Sequence, residues 1–189
     1  MMEEVMVEAR ACHRCPLYRT RMQPVLYRGP EHPRVAFVGQ SPGAEEDRQG
    51  VPFIGPSGQL LQRMVDRWKM NTFSGFLNVV NCHPPENSFL LYYAEQCRPF
   101  LERKLGILSP NIIVTVGRDA EAAIEGLFLD IAGRKSDIPM FFSARRAYVH
   151  HPSFILRCGG EGGRMWVAWD RQFAELNTVL LDMREDLGL

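Results

Sequence analysis

This 189-residue chain has no surplus of charge, no long apolar run, no repeats and few cysteines. Its 22 basic and 22 acidic residues cancel, so non-specific attraction to nucleic acid through net charge is weak. Any DNA contact would fall to loops and helix termini. No apolar stretch approaches the roughly 20 residues of a membrane-spanning helix, which argues against membrane contact. The opening MMEEVMVEAR is acidic and amphipathic, without the basic-then-apolar order of a secretory leader, so a cytoplasmic protein is the expectation. With no linker or low-complexity segment, residues 1–189 are expected to form a single domain and to act as a monomer. Cysteines occur only at 12, 15, 82, 97 and 158. Disulfides are disfavoured in that compartment, which turns attention to metal or cluster ligation.

What is present alternates between strand and helix patterns. Residues 3–11 form a short predicted helix running into Cys12. RVAFV at 34–38 reads as a buried strand. From Ser57 as N-cap, GQLLQRMVDRWK sets Leu60, Leu61, Met64, Val65 and Trp68 at helical spacing. FLNVV at 76–80 predicts a second strand, 91–105 a helix ending before Gly106, and NIIVTVG at 111–117 a third strand. DAEAAIEG predicts a helix closed by Gly126. Residues 138–142 and 146–150 supply one or two further strands, the latter running into a loop at HHPS, and a helix over roughly 163–185 finishes the chain. The alternation predicts an α/β fold: a three-layer αβα sandwich on a mostly parallel central sheet, with ligands beyond the strand carboxyl ends.

Three polar motifs follow predicted strands. GQSPGAEEDRQGVPF at 39–53 carries three glycines, two prolines and three acids, more than a plain connection needs. LNVVNCHPPEN at 77–87 and HPSFILR at 151–157 are the others. Cys12-x2-Cys15 lets two thiolates bind one centre, and Cys82 and Cys97 extend the set to four. Such a site suits zinc or a [4Fe–4S] cluster, and spacing does not choose between them. Cys158 is expected to be a free thiol, buried or on a surface loop.

The three motifs, with four cysteines in the same order, resemble the family 4 uracil-DNA glycosylases, the iron–sulfur branch of that superfamily. The family's usual wording is close to GE-x-PG-x-xED-x-xG-x-PF-x-G-x-xGQLL, N-x-VKCRPP-x-NR and HP-[AS]-x-LLR. The resemblance runs from Cys12 to Arg157 and implies excision of uracil from DNA, with a [4Fe–4S] cluster on Cys12, Cys15, Cys82 and Cys97. It implies that Gly39 and the backbone N–H groups around Gln40 and Ser41 approach the base, and that Phe53 stacks on it. Glu46 would crowd the C5 edge and exclude thymine. The Asn78 amide would donate to O4 and accept from N3–H, a pairing cytosine does not offer. His151 would stabilise the departing uracil at O2, while Pro152, Ser153, Phe154, Leu156 and Arg157 would wedge into the stack or touch phosphate. His150 is a decoy, and Glu45 and Asp47 read as a solvated or helix-capping pair.

Departures from that wording sharpen the expectations. Gln40 stands where the family has Glu, and Ser41 is a poor base, so no strong general base is evident. Asn81, His83 and Ser88 replace basic residues, which predicts fewer phosphate contacts and weaker DNA affinity. FLLYY at 89–93 is apolar for a segment beside DNA and is either core or a protein-docking patch. Two alternatives follow: a glycosylase for another deaminated or modified base, or a catalytically weak superfamily member that binds DNA or protein.

Overall fold

The computed structural model describes residues 2–133 and 144–186. Four parallel strands, β2 (Val35–Gly39), β3 (Ser74–Asn78), β4 (Ile112–Val116) and β5 (Arg145–Val149), form the sheet. A two-residue β1 (Tyr27–Arg28) pairs antiparallel with β3, giving the order β1-β3-β2-β4-β5. The strands β2, β3 and β4 are buried at every position, as parallel strands covered on both faces must be.

Alternation along those strands divides the core in two. Ala36, Val38, Leu77 and Ile113 face α4 (Leu91–Leu108) and α5 (Arg118–Gly133). Val35, Phe37, Phe76 and Val114 face α3 (Pro56–Arg67), the short α6 (Pro152–Arg157) and α7 (Trp166–Asp186). The result is the three-layer sandwich expected. The helix α1 (Met2–Arg10) lies outside it, with Val5 and Ala9 against Phe100 and Leu26. Among the described residues no helix is long and apolar enough to cross a membrane.

Helix ends depart most from expectation. Gly106 does not stop α4, which continues to Leu108 and closes on left-handed Ser109 ahead of Pro110. Gly126 lies inside α5, which runs on to Gly133. Burial of Leu105 and Leu108, and of Ile124 and Leu127, outweighs the ~1 kcal/mol cost of an interior glycine. Gly55, not Ser57, caps α3, because Pro56 takes the first helical position, where its missing N–H costs nothing. The segment after His151 is helical rather than a loop, and the expected strand at 138–142 lies outside the described residues.

Candidate active site

The three polar motifs meet at the carboxyl ends of the strands, where a cleft of about 610 Å³ is lined by Gln40, Ser41, Glu46, Phe53, Asn78 and His151, among others. Gly39 ends β2 in register with Asn78 at the end of β3. A Cβ on Gly39 would lie 2.5 Å from Asn78 Oδ1 and 2.5 Å from Phe53 Cζ, so only glycine lets these two side chains close on either side of it.

Phe53 is both candidate platform and core residue. Its ring lines the cleft while its other side packs on Phe76, centroids 5.9 Å apart. Its φ of 57° lies in the left-handed region, a strained conformation for a bulky residue. Two neighbours hold it there. Gly58 of α3 lies directly on the Phe53 backbone, where any Cβ would collide. Arg28 stacks 4.1 Å from the Phe76 centroid and donates to the Pro52 carbonyl.

The acidic run has three different fates. Glu46 lies in the first turn of the short helix α2 (Ala44–Gln49) and turns its carboxylate onto its own loop. It accepts from the backbone N–H groups of Gly43 (3.1 Å), Ile54 (3.0 Å) and Gly55 (2.8 Å). It lines the cleft as a fixed body, its charge already occupied. Asp47 is not solvated, contrary to expectation: it is buried and accepts from the N–H of Met22 at 2.9 Å. A carboxylate can be buried here because that backbone donor, left unpaired by the 20–26 loop, meets it. Glu45 stays at the surface with Arg48 and Gln49.

Asn78 is buried, lines the cleft and makes no side-chain hydrogen bond among the described residues. Its carbonyl accepts from Lys104 Nζ at 3.0 Å, and Asn81 Oδ1 accepts from the same ammonium at 2.6 Å. Lys104 is fully buried on α4, and desolvation pushes its pKa down to about 8, offset partly by Cys97 and Cys82. Asn81 is therefore not a lost phosphate contact: the position points inward. His83 also faces protein, its Nδ1–H donating to the Pro42 carbonyl at 2.9 Å. Only Ser88 of the three replaced positions is exposed.

His151 caps α6. The Ser153 N–H donates to its Nδ1 at 3.2 Å and the Ser153 hydroxyl lies 2.8 Å from the same atom. Arg157 in turn donates to that hydroxyl at 3.3 Å. Burial lowers the His151 pKa, with the nearby Arg157 charge adding to it and Asp119 opposing it. A neutral ring whose Nδ1 accepts carries its proton on Nε2. Gly117, at φ 90°, makes room for the ring, since a Cβ there would lie 2.9 Å from His151 Cβ. His150 is structural: its N–H donates to Gln172 and its carbonyl accepts from Trp169 Nε1.

The expected DNA-contacting set divides. Pro152 is buried, and half-buried Phe154 packs on His150 with ring centroids 5.5 Å apart. Leu156 and Arg157 are exposed, and Ser153 is half-buried beside His151. In the 89–93 segment Leu90, Leu91 and Tyr92 are exposed, while Phe89 and Tyr93 pack on the core. Gln40 lines the cleft and its Nε2 donates to Asp119 Oδ2 at 2.8 Å.

Cys12 and Cys15 follow α1, Cys82 follows β3 and Cys97 lies on α4. All are free thiols, as is half-buried Cys158 at the end of α6. Cys15 feels the charge of Cys12, Cys82 that of both, and Cys97 that of Cys82 and Cys15. Desolvation raises the thiol pKa values of Cys15 and Cys82, and pushes Cys97 up to about 12. Arg21 donates to Cys82 Sγ at 3.1 Å, a cation suited to thiolate. No group of three or more His, Cys, Asp or Glu among the described residues is arranged around a single metal ion.

Asp119 and Lys104 were not foreseen. Lys104 carried a signal, for it continues the apolar stripe of Phe100, Leu101, Leu105 and Leu108 on α4. Asp119 carried none, being an ordinary acid in a helical first turn.

A family model described as Uracil DNA glycosylase superfamily matches residues 26–177, the span that carries every cleft residue named above. The chain belongs to this superfamily. Within it, a Type-4 uracil-DNA glycosylase from Thermotoga maritima is 32% identical over 170 residues, covering 83% of this chain and 84% of that protein. One from Pyrobaculum aerophilum is 35% identical, covering 77% and 80%. A third, from Archaeoglobus fulgidus, is 34% identical over 67% of this chain, which spans only 65% of that relative's length. The superfamily membership fits the mostly parallel sheet, and the cleft lies beyond the strand carboxyl ends, where open α/β sheets bind ligands.

Proposed function

We propose that this chain is a monofunctional uracil-DNA glycosylase of DNA repair, hydrolysing the N-glycosidic bond of deoxyuridine in DNA to leave an abasic site. The observation that carries the reading is the closure of Phe53 and Asn78 about Gly39 with His151 on the same cleft. A base flipped into that space stacks on Phe53 and presents its hydrogen-bonding edge to Asn78. The amide donates to O4 and accepts from N3–H. Glu46, locked by three backbone donors, discriminates at C5 by bulk alone, without hydrogen bonding to the base. Neutral His151 directs Nε2–H at O2, where negative charge grows as the bond to the sugar breaks.

The four free thiols that sense one another, with Arg21 on Cys82, support a [4Fe–4S] cluster on Cys12, Cys15, Cys82 and Cys97. Its role would be structural, tying the N-terminal loop to the β3 end and α4. Iron and zinc analysis with a visible spectrum tests it, and a colourless protein carrying zinc would overturn the cluster. The superfamily match across 26–177 supports a single catalytic domain, and we propose that it works as a cytoplasmic monomer. Exposed Leu90, Leu91 and Tyr92 support a protein-docking role for 89–93, apart from catalysis.

The test of function is single-turnover cleavage of oligonucleotides, single- and double-stranded, each with one altered base. Uracil should be excised and thymine and cytosine left intact. Excision of hypoxanthine or another base in preference to uracil would overturn the proposal.

A further inference from the structure

Hydrolysis needs a group to take a proton from the attacking water, and the acids lining the cleft are occupied. Glu46 accepts three backbone N–H groups, and Glu45 is paired with Arg48 and Gln49. Asp47, beside them, is buried against Met22. A fourth carboxylate, on α5, bonds to a cleft-lining side chain. Asp119 lies two residues past Gly117 at the end of β4 and is exposed. It accepts from the side-chain amide of cleft-lining Gln40 at 2.8 Å, and its charge reaches His151. It is therefore bonded to a residue of the β2 end and within electrostatic reach of the histidine assigned to the departing base.

We propose that Asp119, oriented by Gln40, is the carboxylate that receives the water proton in this reaction. The inference rests on the uracil-excision reading above. As the C1′–N1 bond breaks, its electron pair leaves with the base toward O2 and His151. The water oxygen bonds to C1′, and one of its protons passes to the Asp119 carboxylate. The hydroxyl remains on C1′, and the proton moves on to the released uracil anion or to solvent, restoring the carboxylate. The same negative charge stabilises the cationic sugar during bond cleavage. The amide of Gln40 can orient an acid but cannot serve as one, so orienting and proton-accepting roles fall on two strand ends.

The charged groups around Asp119 define the pH test. On its own helix are Arg118 and Glu121, whose charges both reach Tyr148 of β5. From α6 come His151 and, beyond it, Arg157. From the β2 loop comes only the neutral Gln40 amide among residues bonded to it.

Single-turnover excision from a duplex carrying one uracil should be measured across pH for the wild type, Asp119→Asn, Gln40→Glu and the double variant. Asp119→Asn should lower the rate by about 100-fold, with DNA affinity and unfolding midpoint unchanged, and remove the acid limb of the pH profile. Gln40→Glu in the Asp119→Asn background returns a carboxylate within reach of the same place and should recover at least about tenfold. Wild-type rate and pH profile in Asp119→Asn would overturn the proposal. So would a loss that Gln40→Glu does not recover, or one matched by an equal loss of DNA affinity. A wild-type protein inert on uracil would instead overturn the excision reading itself.

Discussion

Phe53 and Asn78 stand on opposite sides of Gly39 and are held by opposite means. Phe53 is backed by aromatic packing on Phe76 and by a strained backbone pinned under Gly58. Asn78 is backed by a buried ammonium, Lys104, on the sheet face that also carries the thiols. A stacking surface needs only a flat ring at the right depth, which apolar packing supplies. An amide that must tell donor from acceptor needs its strand end fixed in orientation, which directional hydrogen bonds supply. The two sides of one cleft thus depend on different physics and should fail differently.

The residue between them should fail hardest. Gly39→Ala inserts a Cβ 2.5 Å from both side chains and should lower single-turnover excision by about 1000-fold or more; near-wild-type rates would show that the cleft can open without loss. Next comes the polar side. Lys104→Met strands the Asn78 carbonyl and Asn81 Oδ1, and should destabilise the fold by about 2–4 kcal/mol in denaturant titration. It should also relax discrimination between uracil and cytosine, and unchanged discrimination would separate Lys104 from base reading. Phe76→Leu removes the ring beneath Phe53 and should cost about 1–1.5 kcal/mol, lowering excision by tenfold or less while leaving uracil-versus-cytosine choice intact. A change of base preference in that variant would erase the contrast between the two sides.

The smallest effect concerns pH. His151 has a lowered pKa in the fold, so the unfolded chain binds its proton more readily. Stability should therefore fall as pH drops through the ordinary histidine range toward the folded value, and be fully present above it. His151→Gln should flatten that part of the stability profile; an unchanged slope would assign it to other groups.

Much of this was legible in the sequence because period and punctuation survive folding. The four parallel strands lie within two residues of their expected positions and the three motifs lead to one cleft, while the two-residue β1 carries no signal in the sequence. Helix stops were misread at Gly106 and Gly126, since a local glycine penalty of about 1 kcal/mol cannot register the core contacts that outweigh it. The direction of a polar side chain was least legible. Asp47 and Asn81 look like surface residues in the chain but are buried, because their partners, the Met22 N–H and Lys104, lie 25 and 23 residues away. Pairings across such distances leave no periodic trace. Asp119 escaped for the same reason, its partner Gln40 being 79 residues distant.

The left-handed backbone of Phe53 has a further consequence for where selectivity originates. Its strain of order 1–3 kcal/mol is met during folding, so the slot we propose for a base exists before DNA arrives. Closing around the base then calls for little rearrangement of the protein on this side. What remains to be overcome belongs to the nucleic acid: unstacking and unpairing, which are easiest where a uracil is mismatched or single-stranded. A rigid receptor of this kind leaves the search for damage to the weakness of the damaged site.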